Sequence, residues 1–268
     1  MLDKQNLGLI GVGNMGTSIV EGLIGRRLAP ASRIWVYDKM GDKSQAFARQ
    51  HQVKVAASNV ELADLCDVLI LAIKPQDLTA VASEFRGNLK AGQTVISILA
   101  GMTLEKLEEA LGKKGWLVRA MPNLGAKVGE SLTALTGVSP QALSVAESVF
   151  SGCGRTVRLG EEHFDFFTAL AGSGPAYFFL LMETIEKKAL EQGFPREAAR
   201  LVAIQTSVGA ALTGRASSQS PAELREMVTS KGGTTEAALK VLESKNVREL
   251  FSAAYDAAAN RGRELRGG

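Results

Sequence analysis

Six residues near the start of the chain, Gly11-Val12-Gly13-Asn14-Met15-Gly16, have a spacing suited to holding phosphates with backbone. Gly11 permits a tight turn, Gly13 lets the main chain approach a pyrophosphate, and Gly16 lets the next helix pack closely on the preceding strand. A helix opening at Asn14 and Met15 then offers free N–H groups to the phosphates. The apolar run Leu7–Val12 ahead of the turn, and a helical stretch to about Arg27 behind it, supply the strand–turn–helix context that a bare GxGxxG lacks. This is a dinucleotide site. Asp38 stands 22 residues after Gly16, where a carboxylate accepts ribose hydroxyls and favours NADH. Lys39 and Lys43 follow closely and can meet the 2′-phosphate of NADPH, so the residues leave both cofactors open. A flavin ranks low, because the chain has little to spare for covering its ring system.

The second constellation is Thr229-Ser230-Lys231-Gly232-Gly233-Thr234-Thr235, between two helical patterns. Paired glycines and hydroxyls at a helix N-terminus make an anion nest suited to a carboxylate. The same residues also fit an ordinary interhelical turn with hydroxyl caps. Other catalytic devices are missing. His51 lies in the polar stretch Arg49-Gln50-His51-Gln52 and is expected to be solvated. His163 follows two glutamates and is expected to be structural. Neither has a metal-ligand neighbour at useful spacing. There is no GxSxG elbow and no cysteine with an evident base partner. A hydride acceptor that is already cationic, such as a protonated imine, needs less general-acid help than a ketone, so positioning supplies much of the rate.

The elements that must position these residues change character along the chain. Apolar runs at Leu7–Val12, Ile34–Tyr37, Val68–Ile73, Thr94–Leu99 and Leu117–Ala120 alternate with helical stretches. That spacing predicts βαβ units around a parallel sheet buried on both faces. From Glu161 onward the pattern is helical, through Ala176–Leu190, Ala198–Leu212, Ala222–Val228, Thr235–Leu242 and Arg248–Leu265. Pro175, Pro195 and Pro221 stand at or near helix starts, and Asn246 is a candidate cap for the last helix. The expected architecture is α/β: a Rossmann-type doubly wound domain over residues 1–160, then an all-α substrate-binding and dimerisation domain over 161–268. Segments such as AYFFLLMETI and LVAIQTSVGAAL are apolar around much of their circumference, which points to a helical dimer interface.

Composition narrows the class further. Hydrophobic residues make up 46% of the 268, and 31 basic residues face 28 acidic ones, a net of +3. That balance gives no footprint for nucleic acid. Arg261, Arg263 and Arg266 read as a solvated helix end. Cys66 and Cys153 are expected to pack as small hydrophobes in a reducing compartment. No apolar run reads as a membrane span and the first residues lack a signal-peptide layout, so a cytoplasmic protein is expected.

The chain resembles the pyrroline-5-carboxylate reductase family. The resemblance rests on five ordered motifs: GVGNMG at Gly11, AIKPQ at Ala72–Gln76, RAMPN at Arg119–Asn123, GSGPAY at Gly172–Tyr177 and TSKGGTT at Thr229–Thr235. It implies NADPH- or NADH-dependent reduction of a cyclic imine, 1-pyrroline-5-carboxylate, to L-proline. It also implies that Asn59 contacts the adenosine ribose, and that Ala72, Ile73, Lys74 and Pro75, with Ala100, line the dinucleotide. Met121, Pro122 and Asn123 would sit near the nicotinamide. Ser230, Gly232, Gly233 and Thr234 would hold the substrate carboxylate, and Thr235 would hydrogen-bond the imine nitrogen and assist its protonation. Homodimers through the helical domain, assembled further up to a decamer, are implied as well. The chain departs from the family pattern at Leu124 and Gly125 (usually Thr-Pro), Ser131 (usually Gly), Ser218 (a position that can carry Glu) and Lys231 (usually Pro). Lys231 is read as solvated. Two other readings stand beside this one. A β-hydroxyacid dehydrogenase would need a lysine nearer Gly172 than Lys187. A non-catalytic dinucleotide-binding regulator would not need Ser230 and Thr235.

Overall fold

The computed structural model describes residues 2–267. They form two compact units, one up to Gly172 together with the residues from Ala259 onward, the other Ser173–Ala258.

The first unit is built on eight strands: β1 Leu7–Ile10, β2 Ile34–Tyr37, β3 Lys54–Val55, β4 Val68–Leu71, β5 Thr94–Ser97, β6 Trp116–Met121, β7 Ser131–Gly137 and β8 Gly154–Arg158. They make one sheet in the order β3-β2-β1-β4-β5-β6-β7-β8. Neighbours are parallel except β6 and β7. Its helices are α1 Asn14–Gly25, α2 Gly41–His51, α3 Asn59–Leu65, α4 Leu78–Phe85, α5 Leu104–Leu111, α6 Pro140–Phe150 and the short α7 Phe164–Phe167. The strand order runs outward in opposite directions from the β1–β4 pair. The crevice beyond their C-terminal ends is therefore a topological switch point, where such folds bind ligands.

Every residue of β1 and β4 is buried, which is why both read as unbroken apolar runs rather than alternating ones. Alternate side chains supply two cores. Leu9, Ile70 and Ile96 pack with Ile19 and Leu23 of α1 and Phe150 of α6. Ile10, Leu69 and Val95 pack with Leu62 of α3, Phe85 of α4 and Leu107 of α5. Three strands escape the apolar-run reading. β3 has two residues, β7 carries polar residues in SLTALTG, and β8, GRTVR, is an edge strand with no fully buried position. The antiparallel β6–β7 pair makes the sheet mostly rather than wholly parallel.

The second unit holds α8 Gly174–Glu191, α9 Arg196–Ala216, α10 Pro221–Met227, α11 Thr234–Ser244 and the first part of α12 Val247–Gly267. Pro175 and Pro221 occupy first-turn positions and Pro195 is an N-cap. Asn246 takes the left-handed conformation (φ 54°) at the entry to α12. Only Gly174, Ala199 and Ala203 of residues 173–258 are buried. Phe178, Phe179, Leu180, Leu181, Leu201 and Leu212 are all exposed, Leu201 by 63%.

Three expectations change. The helical stretch Glu161–Glu191 does reach membrane-spanning length, with a mean hydropathy of 1.2 over its most apolar window. His51 is tucked in rather than solvated: its side chain is 11% exposed and its ring lies 4.4 Å from that of Phe47, one helical turn earlier. Arg266 is not a free helix end, because α12 returns to the first unit, where Arg266 pairs with the buried Asp165 at 3.3 Å and its carbonyl accepts from Lys106 Nζ at 2.6 Å. Both cysteines are buried and unbridged. Desolvation pushes the thiol of Cys66 up to about 12 and that of Cys153 to about 11. Raised values keep both neutral at pH 8. A disulfide-exchange reagent at pH 8 is expected to label neither in the native protein and both after denaturation; labelling of the native protein would contradict this packing.

Candidate active site

Each glycine of the turn has its own cause. Gly11 has φ +95°, and a Cβ there would lie 2.7 Å from the carbonyl oxygen of Ala72 on the neighbouring strand's exit. A Cβ on Gly16 would lie 2.7 Å from the Gly11 carbonyl and 3.1 Å from Leu9 Cδ2. Gly13 differs: nothing lies within 4 Å of its missing Cβ. The protein does not need that glycine for its own packing. Gly13 is also the N-cap of α1 and supplies no side-chain cap, so the helix's first-turn N–H groups await an acceptor. Asn14 is exposed at this end, while Met15 packs against the core.

The turn opens into a cleft of about 500 Å³. Gly11, Gly13, Asp38, Lys39, Asn59, Ala72, Ile73 and Lys74 line it, so half of the residues expected around a dinucleotide are brought together. Asp38 follows β2 directly. Its Oδ2 accepts from Val12 N–H and its Oδ1 from Met40 N–H, both at 3.0 Å, so the carboxylate braces the glycine turn. Lys39 Nζ lies 3.3 Å from Asp77 Oδ1. Asn59 is buried, donates through Nδ2 to Glu84 Oε2 at 2.8 Å, and leaves Oδ1 without a partner in the cleft wall. An orphaned buried acceptor beside an open glycine fits a polar ligand such as a dinucleotide. Met40, Asp77, Val81 and Glu84 also line the cleft. Sequence reading missed Val81 and Glu84 because α4 reaches the cleft only through tertiary packing, whereas Met40 directly follows Lys39 and Asp77 closes the turn after Lys74.

Ala100 and Met121–Asn123 do not line this cleft. Ala100 follows β5, Met121 ends β6 and Pro122 and Asn123 follow it, on the same edge of the parallel strands as Gly11 and Ala72. Pro75 opens a short 3-10 turn after Lys74. Asn123 is held on three sides. Its N–H donates to Ser131 Oγ (3.1 Å), its Oδ1 accepts from Gly125 N–H (2.9 Å), and its Nδ2 donates to the Ala171 carbonyl (3.0 Å). Ala171 lies in a π-helical turn, Thr168–Gly172, a form common at functional sites. Beneath this edge the buried Arg119 bonds Glu161 Oε1 at 2.9 Å, and the same oxygen accepts the Leu104 N–H at 2.8 Å.

The hydroxyl-rich loop belongs to the second unit. Gly232 takes φ +72°, and Gly233 is the N-cap of α11 without a side-chain cap. Thr234 and Thr235 occupy the first two helical positions. Gly233 N–H bonds the Ser230 carbonyl at 3.0 Å, and Gly232 N–H donates to Glu236 Oε2 at 2.7 Å. That bond holds the Glu236 carboxyl below the usual range. The loop therefore already engages one carboxylate through its backbone. Lys231 is exposed, as expected.

Comparison with known proteins decides the family. The pyrroline-5-carboxylate reductase dimerisation family matches residues 161–265, and the NADP oxidoreductase coenzyme F420-dependent family matches residues 6–101. The chain is 36% identical to the pyrroline-5-carboxylate reductase of Pseudomonas aeruginosa, covering 98% of each. The chain belongs to the pyrroline-5-carboxylate reductase family. A family member from Coxiella burnetii has a similar structure, with a TM-score of 0.92 at 39% identity over 97% of this chain and 98% of that one. The Plasmodium falciparum pyrroline carboxylate reductase, solved with NADP bound, gives 0.87 at 26% identity over 99% and 100%.

Two departures from the usual reductase pattern acquire a local reason. Gly125 supplies the N–H that closes the Asn123 side-chain turn, which Pro lacks. Ser131 supplies the hydroxyl that holds the Asn123 N–H. Ser218 is exposed at a bend after α9, and nothing in the structure explains its replacement of an acid. The dimerisation family accounts for the exposed apolar helices of the second unit: the protein is a homo-oligomer.

Proposed function

We propose that this chain is the NAD(P)H-dependent reductase that converts 1-pyrroline-5-carboxylate to L-proline, the last step of proline biosynthesis. The observation that carries the reading is near-complete alignment with reductases of that name, with the glycine turn and the hydroxyl-rich loop both intact. When bound, the nicotinamide supplies the hydride. The chain's residues bind and orient. Gly11, Gly13, Asn14, Met15 and Gly16 form the pyrophosphate turn. Asp38, Lys39 and Asn59 meet the adenosine half, while Ala72, Ile73, Lys74, Pro75 and Ala100 line the dinucleotide. Met121, Pro122 and Asn123 border the nicotinamide.

In the second unit, Ser230, Gly232, Gly233 and Thr234 hold the substrate carboxylate with hydroxyls and N–H groups. Gly232 N–H is taken by Glu236 and Gly233 N–H by the Ser230 carbonyl, so the substrate carboxylate displaces those partners as it binds. The Thr235 hydroxyl hydrogen-bonds the imine nitrogen and assists its protonation from solvent, which leaves a cationic carbon that the nicotinamide's hydride would reduce. The dinucleotide task falls to residues 1–160 and the substrate task to the helical region 161–268, whose separate compact part is Ser173–Ala258. The assembly is a dimer through the helical domain, extended up to a decamer, in the cytoplasm. The apolar stretch Glu161–Glu191 lies within the region matched by the dimerisation family, so a second copy, not lipid, covers it.

Purified protein given the five-membered imine is expected to oxidise NADH or NADPH, and no turnover with either would refute the assignment. Thr235→Ala is expected to lower kcat about a hundredfold. Cofactor affinity should stay within about twofold, because Thr235 lies outside the dinucleotide cleft. Unchanged kcat would remove Thr235 from the mechanism.

A further inference from the structure

We propose that Asp38 makes the cleft select the unphosphorylated ribose, so that the enzyme prefers NADH to NADPH. The inference rests on the dinucleotide reading of the cleft given above. The NADP-bound Plasmodium relative shows that this fold accepts the phosphorylated cofactor. The choice in this chain must therefore come from its own lining residues.

Asp38 is fixed rather than merely present. Both carboxylate oxygens hold backbone N–H groups at 3.0 Å, and its own N–H donates to Ser44 Oγ at 2.8 Å. A carboxylate that braces the glycine turn cannot swing away from an incoming phosphate without releasing Val12. Each oxygen keeps a further lone pair, and a carboxylate only accepts hydrogen bonds. A ribose hydroxyl pair offers donors to match it. A 2′-phosphate offers charge of the same sign and no donor.

The neighbouring cations do not reverse that preference. Lys39, Lys43 and Lys74 line the cleft, but so do Asp38, Asp77 and Glu84, so the lining has no excess of positive charge. Lys39 already lies 3.3 Å from Asp77. No arginine, the side chain whose planar fork suits a phosphate, stands among the lining residues described.

Calorimetric titration of the full protein with NADH and with NADPH tests this directly. NADH should bind roughly tenfold or more tightly than NADPH, the scale of one fixed like charge at partly solvated range. Asp38→Asn and Asp38→Ser should shrink that ratio at least tenfold, chiefly by tightening NADPH. A bracing role alone would weaken both cofactors together and leave the ratio unchanged, which would overturn the assignment of Asp38. Wild-type protein that binds NADPH as tightly as NADH overturns the preference itself. Failure of both cofactors to bind counts instead against the dinucleotide cleft.

Discussion

Leu201→Glu is expected to dissociate the protein and unfold its helical unit. Leu201 is 63% exposed on α9, and its apolar neighbours Phe178, Phe179, Leu180 and Leu181 on α8 are just as open. The five helices of residues 173–258 bury only three small residues among themselves. A unit of that size without large buried side chains has no core to offset its conformational entropy. Its core must be made between copies, as the dimerisation family implies. Burying an unpaired carboxylate in that core costs about 4 kcal/mol, a loss of about a thousandfold in association. Sedimentation should show a shift to monomer, with activity lost in step. Lys113→Glu, on a lysine that is 85% exposed in the first unit, should leave both unchanged. A stable, active oligomer carrying Leu201→Glu would show that this face is not the interface.

Alanine at Gly11 and alanine at Gly13 are expected to abolish cofactor binding for different reasons. Gly11 is held at φ +95°, and its new Cβ would meet the Ala72 carbonyl. The strained backbone costs about 1–2 kcal/mol before that overlap is relieved by parting β1 from β4 at the switch point. Gly11→Ala should therefore lower both Tm and cofactor affinity, the latter at least about a hundredfold. Gly13→Ala adds a methyl to open space, so Tm should hold while affinity falls by a similar factor. A Gly13→Ala protein that binds cofactor normally would mean the pyrophosphate does not pass over this turn.

Much of the fold is legible in the residues because burial writes it there. β1, β2, β4, β5 and β6 are apolar runs, and the helices of the second unit lie within about four residues of their periodic patterns, with Pro175, Pro195 and Pro221 at their starts. β7 and β8 are not legible, since strands near a sheet edge need not be apolar on both faces. At the site, the glycine turn is readable as local chemistry. Glu84 beside Asn59, Asp77 beside Lys39 and Ser131 beneath Asn123 are not. Those pairs are separated by 25, 38 and 8 residues and meet only once helices and strands have packed. The bond from Val12 N–H to the Asp38 carboxylate spans 26 residues. The acid at the end of β2 can be noticed in the sequence, but its immobility, on which the cofactor inference depends, appears only in the fold.

The return of α12 to the first unit has a consequence for how the protein is made. Asp165 is 6% exposed and pairs with Arg266, and Lys106 reaches the Arg266 carbonyl across 160 residues of chain. On a ribosome, the sheet and its glycine turn emerge long before residues 259–266 do. The dinucleotide unit can form early but stays unsealed, with a buried acid lacking its cation, until the intervening helices and residues 259–266 have been translated. Vectorial synthesis thus delays closure of the cofactor domain until the helices that recruit a second copy have already left the exit tunnel.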